Sequence, residues 1–305
     1  MRWRKIGRIF EPASDYPWMK THAMVPVADH LHDSIFRVYL SGRDDQNRSL
    51  IGYFELDIEK PNEITAVSSD PVLGIGELGC FDDNGVTPSW IVDDGDTKLL
   101  YYIGWRPRST TRMSVIAGLA ESLDGGDSFT RVSRAPILLP NDREPMSILT
   151  APCVLREGDR WRMWYVSGVE WLSPDLPRYN IKYAESDNGR TWNQSGQVCI
   201  DFRDNDETAL ARPCVVKDNG LYRMWYSYKP VQSDKAYKIG YAESPDGMEW
   251  ERMDDAAGID TSEEGWDSQM VEYACVVRHR ERWYMFYNGN EYGMTGIGLA
   301  VAEPA

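Results

Sequence analysis

The sequence predicts an all-β protein, a single five-bladed β-propeller domain of four-stranded blades spanning residues 1–305. Three observations predict it: a strand pattern that occurs five times, an aromatic content of 12% rich in Tyr and Trp, and an N-terminal segment that matches the strand missing from the last repeat. Repetition around a ring leaves only short sheet edges exposed. We therefore expect the first strands of the repeats to converge on a central channel.

Each repeat contains an aromatic-rich strand that ends in tyrosine. These tyrosines fall at positions 39, 102, 165, 226 and 287, so their spacings are 63, 63, 61 and 61 residues. A short apolar strand begins thirteen or fourteen residues before each tyrosine, and turn signals such as Asp93-Asp-Gly95 separate the two. A third strand follows, of which Ile239-Gly-Tyr-Ala242 is typical. This regular spacing indicates one structural unit repeated along the chain.

A turn and a fourth strand complete the middle repeats. The turns are Ser122–Phe129, Ser186–Trp192 and Ser244–Trp250, and the first two resemble the Asp-box hairpin of sialidase-like propellers. In such a hairpin the polar side chain satisfies the amides of the turn, so we expect a structural role. The fifth repeat has no fourth strand, and the segment Trp3–Ile6 matches the missing one. We expect this segment to pair with the last blade and close the ring.

The formal net charge of −15 argues against nucleic-acid partners and anionic membrane surfaces, both of which repel an acidic protein. The N-terminus lacks the apolar stretch of a signal peptide, and no apolar run reaches membrane-spanning length. Three of the five cysteines, Cys153, Cys214 and Cys275, are 61 residues apart, which indicates equivalent packing thiols. A cytoplasmic location is expected. No motif calls for a metal or another cofactor, although a structural cation in the channel is left open, as is the oligomeric state.

Function is expected where the repeats differ, in the segments that lead into the first strands. There the chain carries His22, Asp83, Thr150, Arg212 and Glu272 at related positions. Each residue also has a structural interpretation. Glu272 could form a salt bridge, Asp83 could cap the turn that follows it, and His22 could be a base, a ligand to a metal or water, or an ordinary polar contact. A buried Arg212 needs an anionic partner, which Glu207, Glu272 or a substrate would supply.

Cations and tryptophans in the loops after the aromatic strands form a second group of candidates. Arg43, Arg106, Lys229 and Lys235 stand out against the acidic background and suit a substrate with phosphate or carboxylate, unless they only balance nearby Asp. Trp105 and Trp171 could stack on a sugar ring or pack within a blade. The predicted substrate-binding residues are Arg212, Arg43, Arg106, Trp105, Trp171, Tyr273 and Thr150.

The strands Met163-Trp-Tyr165 and Met224-Trp-Tyr226, the Ile-Gly-Tyr-Ala strands and the Asp-Gly-x-x-Trp turn resemble the five-bladed glycoside hydrolases, the group of arabinanases, β-xylosidases, invertases and mannoside phosphorylases. The resemblance covers the whole chain. It implies three carboxylates around the channel, an Asp on each of the first two blades and a Glu on the third. This chain departs from that pattern, because His22 and Met24 stand on the first blade and Thr150 on the third.

The resemblance implies a carbohydrate-active protein of glycoside hydrolase type that acts on a glycosidic bond or a sugar derivative, an anionic one included. The expected partner is a small-molecule or oligosaccharide substrate. The predicted catalytic residues are Glu272 or Glu207 as proton donor, with Asp83 or His22 assisting the attack of water. Two alternatives stay open: a propeller that binds carbohydrate or sugar phosphate without turnover, and a transferase, phosphorylase or lyase acting on a sugar.

Overall fold

The computed structural model describes residues 1–205, 207–229 and 236–303. Within these ranges the chain is almost entirely β-structure, with a short 3-10 helix at Asp254–Ala256 and a four-residue helix α1 at Asn290–Gly293. None of the helices in the described ranges has the length and apolar character needed to cross a membrane. The strands are β1 (Trp3–Phe10), β2 (Thr21–His32), β3 (Ile35–Arg43), β4 (Ser49–Asp57), β5 (Ile64–Val67), β6 (Val86–Asp94), β7 (Thr97–Pro107), β8 (Met113–Ser122), β9 (Thr130–Arg131), β10 (Ile148–Glu157), β11 (Arg160–Ser173), β12 (Leu176–Ser186), β13 (Asn193–Ile200), β14 (Leu210–Asp218), β15 (Leu221–Tyr228), β16 (Lys238–Ser244), β17 (Glu251–Arg252), β18 (Glu272–His279), β19 (Arg282–Asn288) and β20 (Ile297–Ala302).

The strands form three four-stranded sheets and one eight-stranded sheet. The four-stranded sheets have the orders β2-β3-β4-β5, β14-β15-β16-β17 and β1-β20-β19-β18. The eight-stranded sheet consists of β6–β9 and β10–β13, which are joined by a short parallel pairing between β8 and β10. As the sequence predicts, the N-terminal strand β1 pairs antiparallel with β20 and completes the last sheet.

The strands that begin each group of four, β2, β6, β10, β14 and β18, are called the lead strands here. Each lead strand contacts the next, and β18 contacts β2, so their contacts form a closed cycle. The equivalent cysteines bridge three of these contacts. Each buried thiol accepts a hydrogen bond from a backbone N–H of the next lead strand: Cys153 from Val215 at 3.2 Å, Cys214 from Val276 at 3.2 Å, and Cys275 from Ala28 at 3.4 Å. The predicted packing role of these thiols is confirmed, because all three are free and buried.

The three predicted turns, Ser122–Phe129, Ser186–Trp192 and Ser244–Trp250, are hairpins held by their own polar side chains. In the last of them the Ser244 hydroxyl accepts the Gly247 N–H at 2.8 Å, and Asp246 accepts two further turn amides. An aromatic side chain from the preceding group donates to a glycine carbonyl in each turn: Tyr39 to Gly126, Tyr101 to Gly189, and Trp164 to Gly247. The turns therefore connect neighbouring groups, which is the structural role predicted for them.

Candidate active site

A pocket opens where the lead strands begin. Every lead strand contributes a wall residue, and the enclosed cavity is about 100 Å³. Because strands alternate in direction within each group, this pocket end lies opposite the end that carries the three turns. The central pocket is lined from the lead strands by Val25, Thr87, Thr150, Arg212 and Tyr273, and from the loops and outer strands chiefly by Ile103, Trp105, Met113, Tyr179 and Tyr237.

The backbone at the start of four lead strands adopts a conformation that side chains other than glycine rarely tolerate. The φ angles are 53° at Val25, 49° at Ala151, 51° at Arg212 and 57° at Tyr273. Each of these residues lies at an irregularity in the strand register, which indicates a β-bulge. Strained backbone of this kind costs about 1–3 kcal/mol per residue and is concentrated at functional sites. Its repetition around one pocket identifies this end of the molecule as the candidate site.

Glu272, the first residue of β18, is completely buried beside this pocket. Neither carboxylate oxygen has a hydrogen bond of ordinary geometry with a residue of the described ranges. Burial raises the pKa of Glu272 well above its usual range, and the nearby charge of Lys229 opposes this effect only in part. Burial therefore favours the protonated form of Glu272, which is the form that a proton donor requires, while Lys229 and the Tyr273 hydroxyl favour the ionised form.

Tyrosines surround the Glu272 side of the pocket. The hydroxyls of Tyr179 and Tyr237 are hydrogen-bonded at 2.5 Å, and the rings of Tyr237 and Tyr273 are 5.9 Å apart. The Lys229 ammonium lies 4.8 Å from the centre of the Tyr237 ring. Sequence reasoning missed Tyr179 and Tyr237, because both precede the repeated motif of the third strand. The signal that could have found them is their equivalent position, two residues before Ile181 and Ile239.

His22 lies on β2 with a φ of 60° and is 6% exposed. Its Nδ1 is 2.9 Å from the Thr21 hydroxyl. Burial, and secondly the charge of Arg43, lower the pKa of His22 to about 4, so the imidazole is neutral at neutral pH and can accept a proton. Asn288 connects this segment to Glu272: it pairs with Glu272 in the sheet and donates to the Ala23 carbonyl at 2.6 Å.

Arg212 is 2% exposed, and its side chain extends across the channel from β14 to β2. It donates to the backbone carbonyls of Pro26 at 3.0 Å and Pro213 at 3.4 Å, and its Nε has no hydrogen-bond partner among the described residues. Within the described ranges it forms no ion pair with a carboxylate, so neither Glu207 nor Glu272 is the partner that the sequence suggested. The positive charge of Arg212 is therefore not neutralised by a carboxylate of the described residues and is available to a ligand in the pocket.

Two predicted catalytic carboxylates belong to other networks. Glu207 is buried in a two-pronged ion pair with Arg252, at 2.5 and 2.7 Å, which also binds Asp254. Asp83 accepts the Gly79 N–H at 2.8 Å and lies 3.8 Å from Arg106. The exposed Arg106 also donates to the Gly79 carbonyl, so it holds the same loop. The structure therefore does not bring Glu207, Asp83 or Arg106 into the lining of the central pocket. Glu272, His22 and Arg43 are not among the lining residues either, but Glu272 directly precedes the lining residue Tyr273.

The remaining predicted binding residues lie at or near the pocket. Thr150 lines it with a buried hydroxyl that has no partner in the described structure, and Trp105 lines it while donating to Thr87 at 3.1 Å. Tyr273 lines it and is anchored through its backbone N–H to the Ser227 hydroxyl at 2.8 Å. Trp171 does not line the pocket but packs against an apolar cluster whose buried residues, among them Ile103 and Ile148, do line it. Lys235 lies outside the described residues.

Two curated proteins of Mycobacterium tuberculosis, named uncharacterized protein MT1551 and uncharacterized protein Rv1502, are each 42% identical to this chain over 305 residues. The alignments cover 99% of this chain and 100% of each relative. This chain belongs to the family of MT1551 and Rv1502. No family model matches the sequence.

Solved structures show which fold this family has. The chain is similar to a structure named glycoside hydrolase, with a TM-score of 0.74, 17% identity, and coverage of 99% of this chain and 92% of that one. A glycosyl hydrolase from Bacteroides ovatus gives a TM-score of 0.71 at 14% identity, covering 97% and 91%. A thermostable family-43 glycoside hydrolase gives 0.67 at 15% identity, covering 96% and 92%. The chain therefore has the glycoside hydrolase-like fold, which the sequence motifs predicted.

Proposed function

We propose that residues 1–305 form a single five-bladed β-propeller. The three separate sheets and the two halves of the eight-stranded sheet each supply one blade of four strands. Two observations support the closed ring: the cyclic contacts of the lead strands, and the hydrogen bond from Ala28 to the Cys275 thiol between the first and last blades. Asn288 supports the same seam, since its side chain binds the backbone of Val25 and Ala23.

On this scaffold we propose a carbohydrate-active enzyme of glycoside hydrolase type that cleaves a glycosidic bond in the central pocket. The observation that carries the proposal is Glu272, a fully buried carboxyl at the pocket end whose burial raises its pKa. Glycosidic cleavage needs an acid that is protonated at working pH and donates to the leaving oxygen. Trp105, Tyr273 and the other aromatic walls suit the apolar faces of a sugar ring.

In the proposed reaction His22 accepts a proton from a water molecule, and the oxygen of that water attacks the anomeric carbon. Glu272 gives its proton to the departing glycosidic oxygen, so the C–O bond breaks and the leaving sugar departs as an alcohol. Glu272 is then ionised and His22 protonated, and one proton transferred through solvent restores both. The neutral state of His22 at neutral pH supports this role, because a protonated imidazole could not take up the proton.

The test is sugar release from a panel of aryl glycosides and oligosaccharides. For Glu272→Gln we expect kcat/KM to fall by about 10²–10⁴-fold, the usual contribution of a positioned acid. Aryl glycosides with very acidic leaving groups should lose much less, because they depart without protonation. Glu207→Gln is the matched control and should keep its kcat. Equal losses for good and poor leaving groups would contradict the role of Glu272 as the acid.

A second candidate function, carbohydrate binding without turnover, is favoured by one observation. Glycosidases ordinarily use two carboxylates, whereas Asp83 and Glu207 are held in other networks and Glu272 remains as the unpartnered carboxyl of the described pocket region. Calorimetry with the same sugars separates the two functions. Micromolar binding of a glycoside that stays intact over hours would favour the binding protein.

A further inference from the structure

The pocket end carries positive charge that no carboxylate of the described ranges balances. Arg212 forms the floor, at 2% exposure, with two backbone carbonyls as its acceptors and an unpartnered Nε. A buried guanidinium is costly unless an anion accompanies it. No anion is supplied to Arg212 by the residues that the structure describes. The Trp90 ring lies 5.7 Å from the guanidinium but carries no charge, and a ligand bound in the pocket would supply the anion.

Two further arginines lie at the same end of the molecule: Arg43 pairs with Thr21 at the start of β2, and Arg112 directly precedes the pocket residue Met113. Arg43, at the end of β3, is partly buried and hydrogen-bonds to the neutral Asn47 at 3.1 Å. Burial, together with the like charge of Arg112, lowers the pKa of Arg43, while Tyr273 opposes the shift. Arg43 therefore interacts electrostatically with both Arg112 and the pocket residue Tyr273. Neither arginine forms an ion pair with any carboxylate in the described part of the chain.

The other titratable groups that face this region do not offset the charge. His22 is neutral at neutral pH, and burial favours the uncharged form of Glu272. The nearest acidic side chains on the same segments are already paired, Asp44 with Arg48 and Asp83 with Arg106. The protein as a whole has a formal net charge of −15, so a cationic pocket is the opposite of its average surface. Such a local field selects ligands by charge.

We infer that the sugar bound in the central pocket carries a carboxylate or phosphate group, which is held by Arg43 and Arg112 above the Arg212 floor. This inference rests on the proposed function, because it assumes that the ligand is a sugar. Planar guanidinium groups match carboxylate and phosphate oxygens in two-pronged geometry. The hydroxyl of Thr150 in the same wall, unpartnered in the described structure, supplies one more donor for such an oxygen.

The inference is tested by calorimetric binding to the Glu272→Gln protein, so that the result does not depend on turnover. The probes are glucose, glucuronate, glucose 6-phosphate and inorganic phosphate. We expect either acidic sugar to bind at least tenfold more tightly than glucose, with an affinity that falls as salt rises. Binding of inorganic phosphate as tight as that of the acidic sugars would instead identify a free anion as the ligand and overturn the anionic-sugar assignment.

Variants locate the site. Each further substitution is made in the Glu272→Gln protein. Arg43→Gln and Arg112→Gln should each weaken binding of the acidic sugar by about tenfold, the loss expected for one charged hydrogen bond. Arg156→Gln removes the same charge from the opposite end, where Arg156 pairs with Asp94, and should have no effect. Arg212→Met is expected to lower the affinity further. If this variant does not fold, Arg43→Gln and Arg112→Gln decide the question.

Equal affinities for glucose and glucuronate, or no loss in Arg43→Gln and Arg112→Gln, would overturn the inference. Failure of the proposed function has a different signature. In that case acidic sugars bind as described, but the unmodified protein releases no sugar from any glycoside.

Discussion

The two ends of the molecule use polar side chains in opposite ways. At the turn end each of the hairpins Ser122–Phe129, Ser186–Trp192 and Ser244–Trp250 satisfies its own amides and receives a hydrogen bond from the neighbouring group. At the pocket end Glu272, Thr150 and the Nε of Arg212 are buried without hydrogen-bond partners in the described structure. The turn end is not free of such groups, since the Trp192 indole N–H is also buried without a partner, but Glu272, a fully buried carboxyl without an ion pair in the described structure, lies at the pocket end.

This difference indicates that the polar side chains of the turn end serve stability and those of the pocket end serve function. A buried polar group without a partner costs about 1–3 kcal/mol, so natural selection retains such groups only where they serve another purpose. The backbone differs as well, since Val25, Ala151, Arg212 and Tyr273 have left-handed backbone at strand bulges of the pocket end, whereas left-handed residues of the turn end, such as Asn219, lie in hairpin turns. Substitutions at the turn end should lower stability, and substitutions at the pocket end should change activity or binding.

The largest stability effect is expected for Glu207→Gln. The change removes one of the two carboxylate partners of the partly buried Arg252, which keeps Asp254, and should lower the free energy of unfolding by about 2–3 kcal/mol. Urea unfolding measures the loss, with the exposed Glu251→Gln as the control. A Glu207→Gln protein with normal stability but lost activity would show that Glu207 takes part in the reaction. It would also contradict the contrast drawn between the two ends of the molecule.

Ser244→Ala should have a smaller effect at the turn end. It removes the acceptor of the Gly247 amide and should lower the free energy of unfolding by about 1–2 kcal/mol, while kcat/KM stays within twofold of the parent. The exposed Ser69→Ala, whose hydroxyl donates to Asp70, serves as the control and should leave stability unchanged. A change in substrate affinity larger than the change in stability would contradict a purely structural turn.

The smallest effect is a difference in the pH dependence of stability. Hydrogen bonds from the Ser122 and Ser128 hydroxyls lower the pKa of Asp124 to about 2. The contribution of Asp124 to folding stability is therefore present above the ordinary pKa of an aspartate and is lost as the pH falls toward 2. The pKa of Glu272 is raised, so its contribution is full below its ordinary pKa and is lost as the pH rises.

Thermal unfolding between pH 3 and 8 measures how the contributions of Asp124 and Glu272 to stability change with pH. Asp124→Asn should lower the Tm most at neutral pH and least near pH 3, whereas Glu272→Gln should raise the Tm relative to the parent as the pH increases. The exposed Glu264→Gln is the control for both. Parallel curves for parent and Glu272→Gln would show that Glu272 is ionised in the folded protein and would remove the distinction between the two ends.

The strands and turns could be predicted from sequence because a repeat of 61–63 residues makes each unit evidence for the others. The same alignment placed Thr150, Arg212 and Tyr273 at the pocket, because these residues directly precede the first strands. The glycoside hydrolase-like fold followed from the motifs. Features that the repeat dictates are therefore readable in the sequence.

The partners of individual carboxylates could not be predicted in the same way. Glu207 and Glu272 look alike in sequence, since both lie close to the start of a lead strand. Only folding brings Arg252 to Glu207 while leaving Glu272 without an ion pair in the described structure. Tyr179 and Tyr237 occupy equivalent positions, two residues before the third-strand isoleucines Ile181 and Ile239. Their hydrogen bond joins residues 58 positions apart, and the repeat alone does not show that the two hydroxyls meet.

The central claim is that Glu272 is retained for chemistry at a cost in stability. The most direct test measures the turnover and the free energy of unfolding of Glu272→Gln on the same preparation at pH 7. The account predicts that turnover of glycosides with poor leaving groups falls at least a hundredfold, while the free energy of unfolding is unchanged or higher. Retained turnover together with a loss of stability would contradict it, because Glu272 would then be a structural residue.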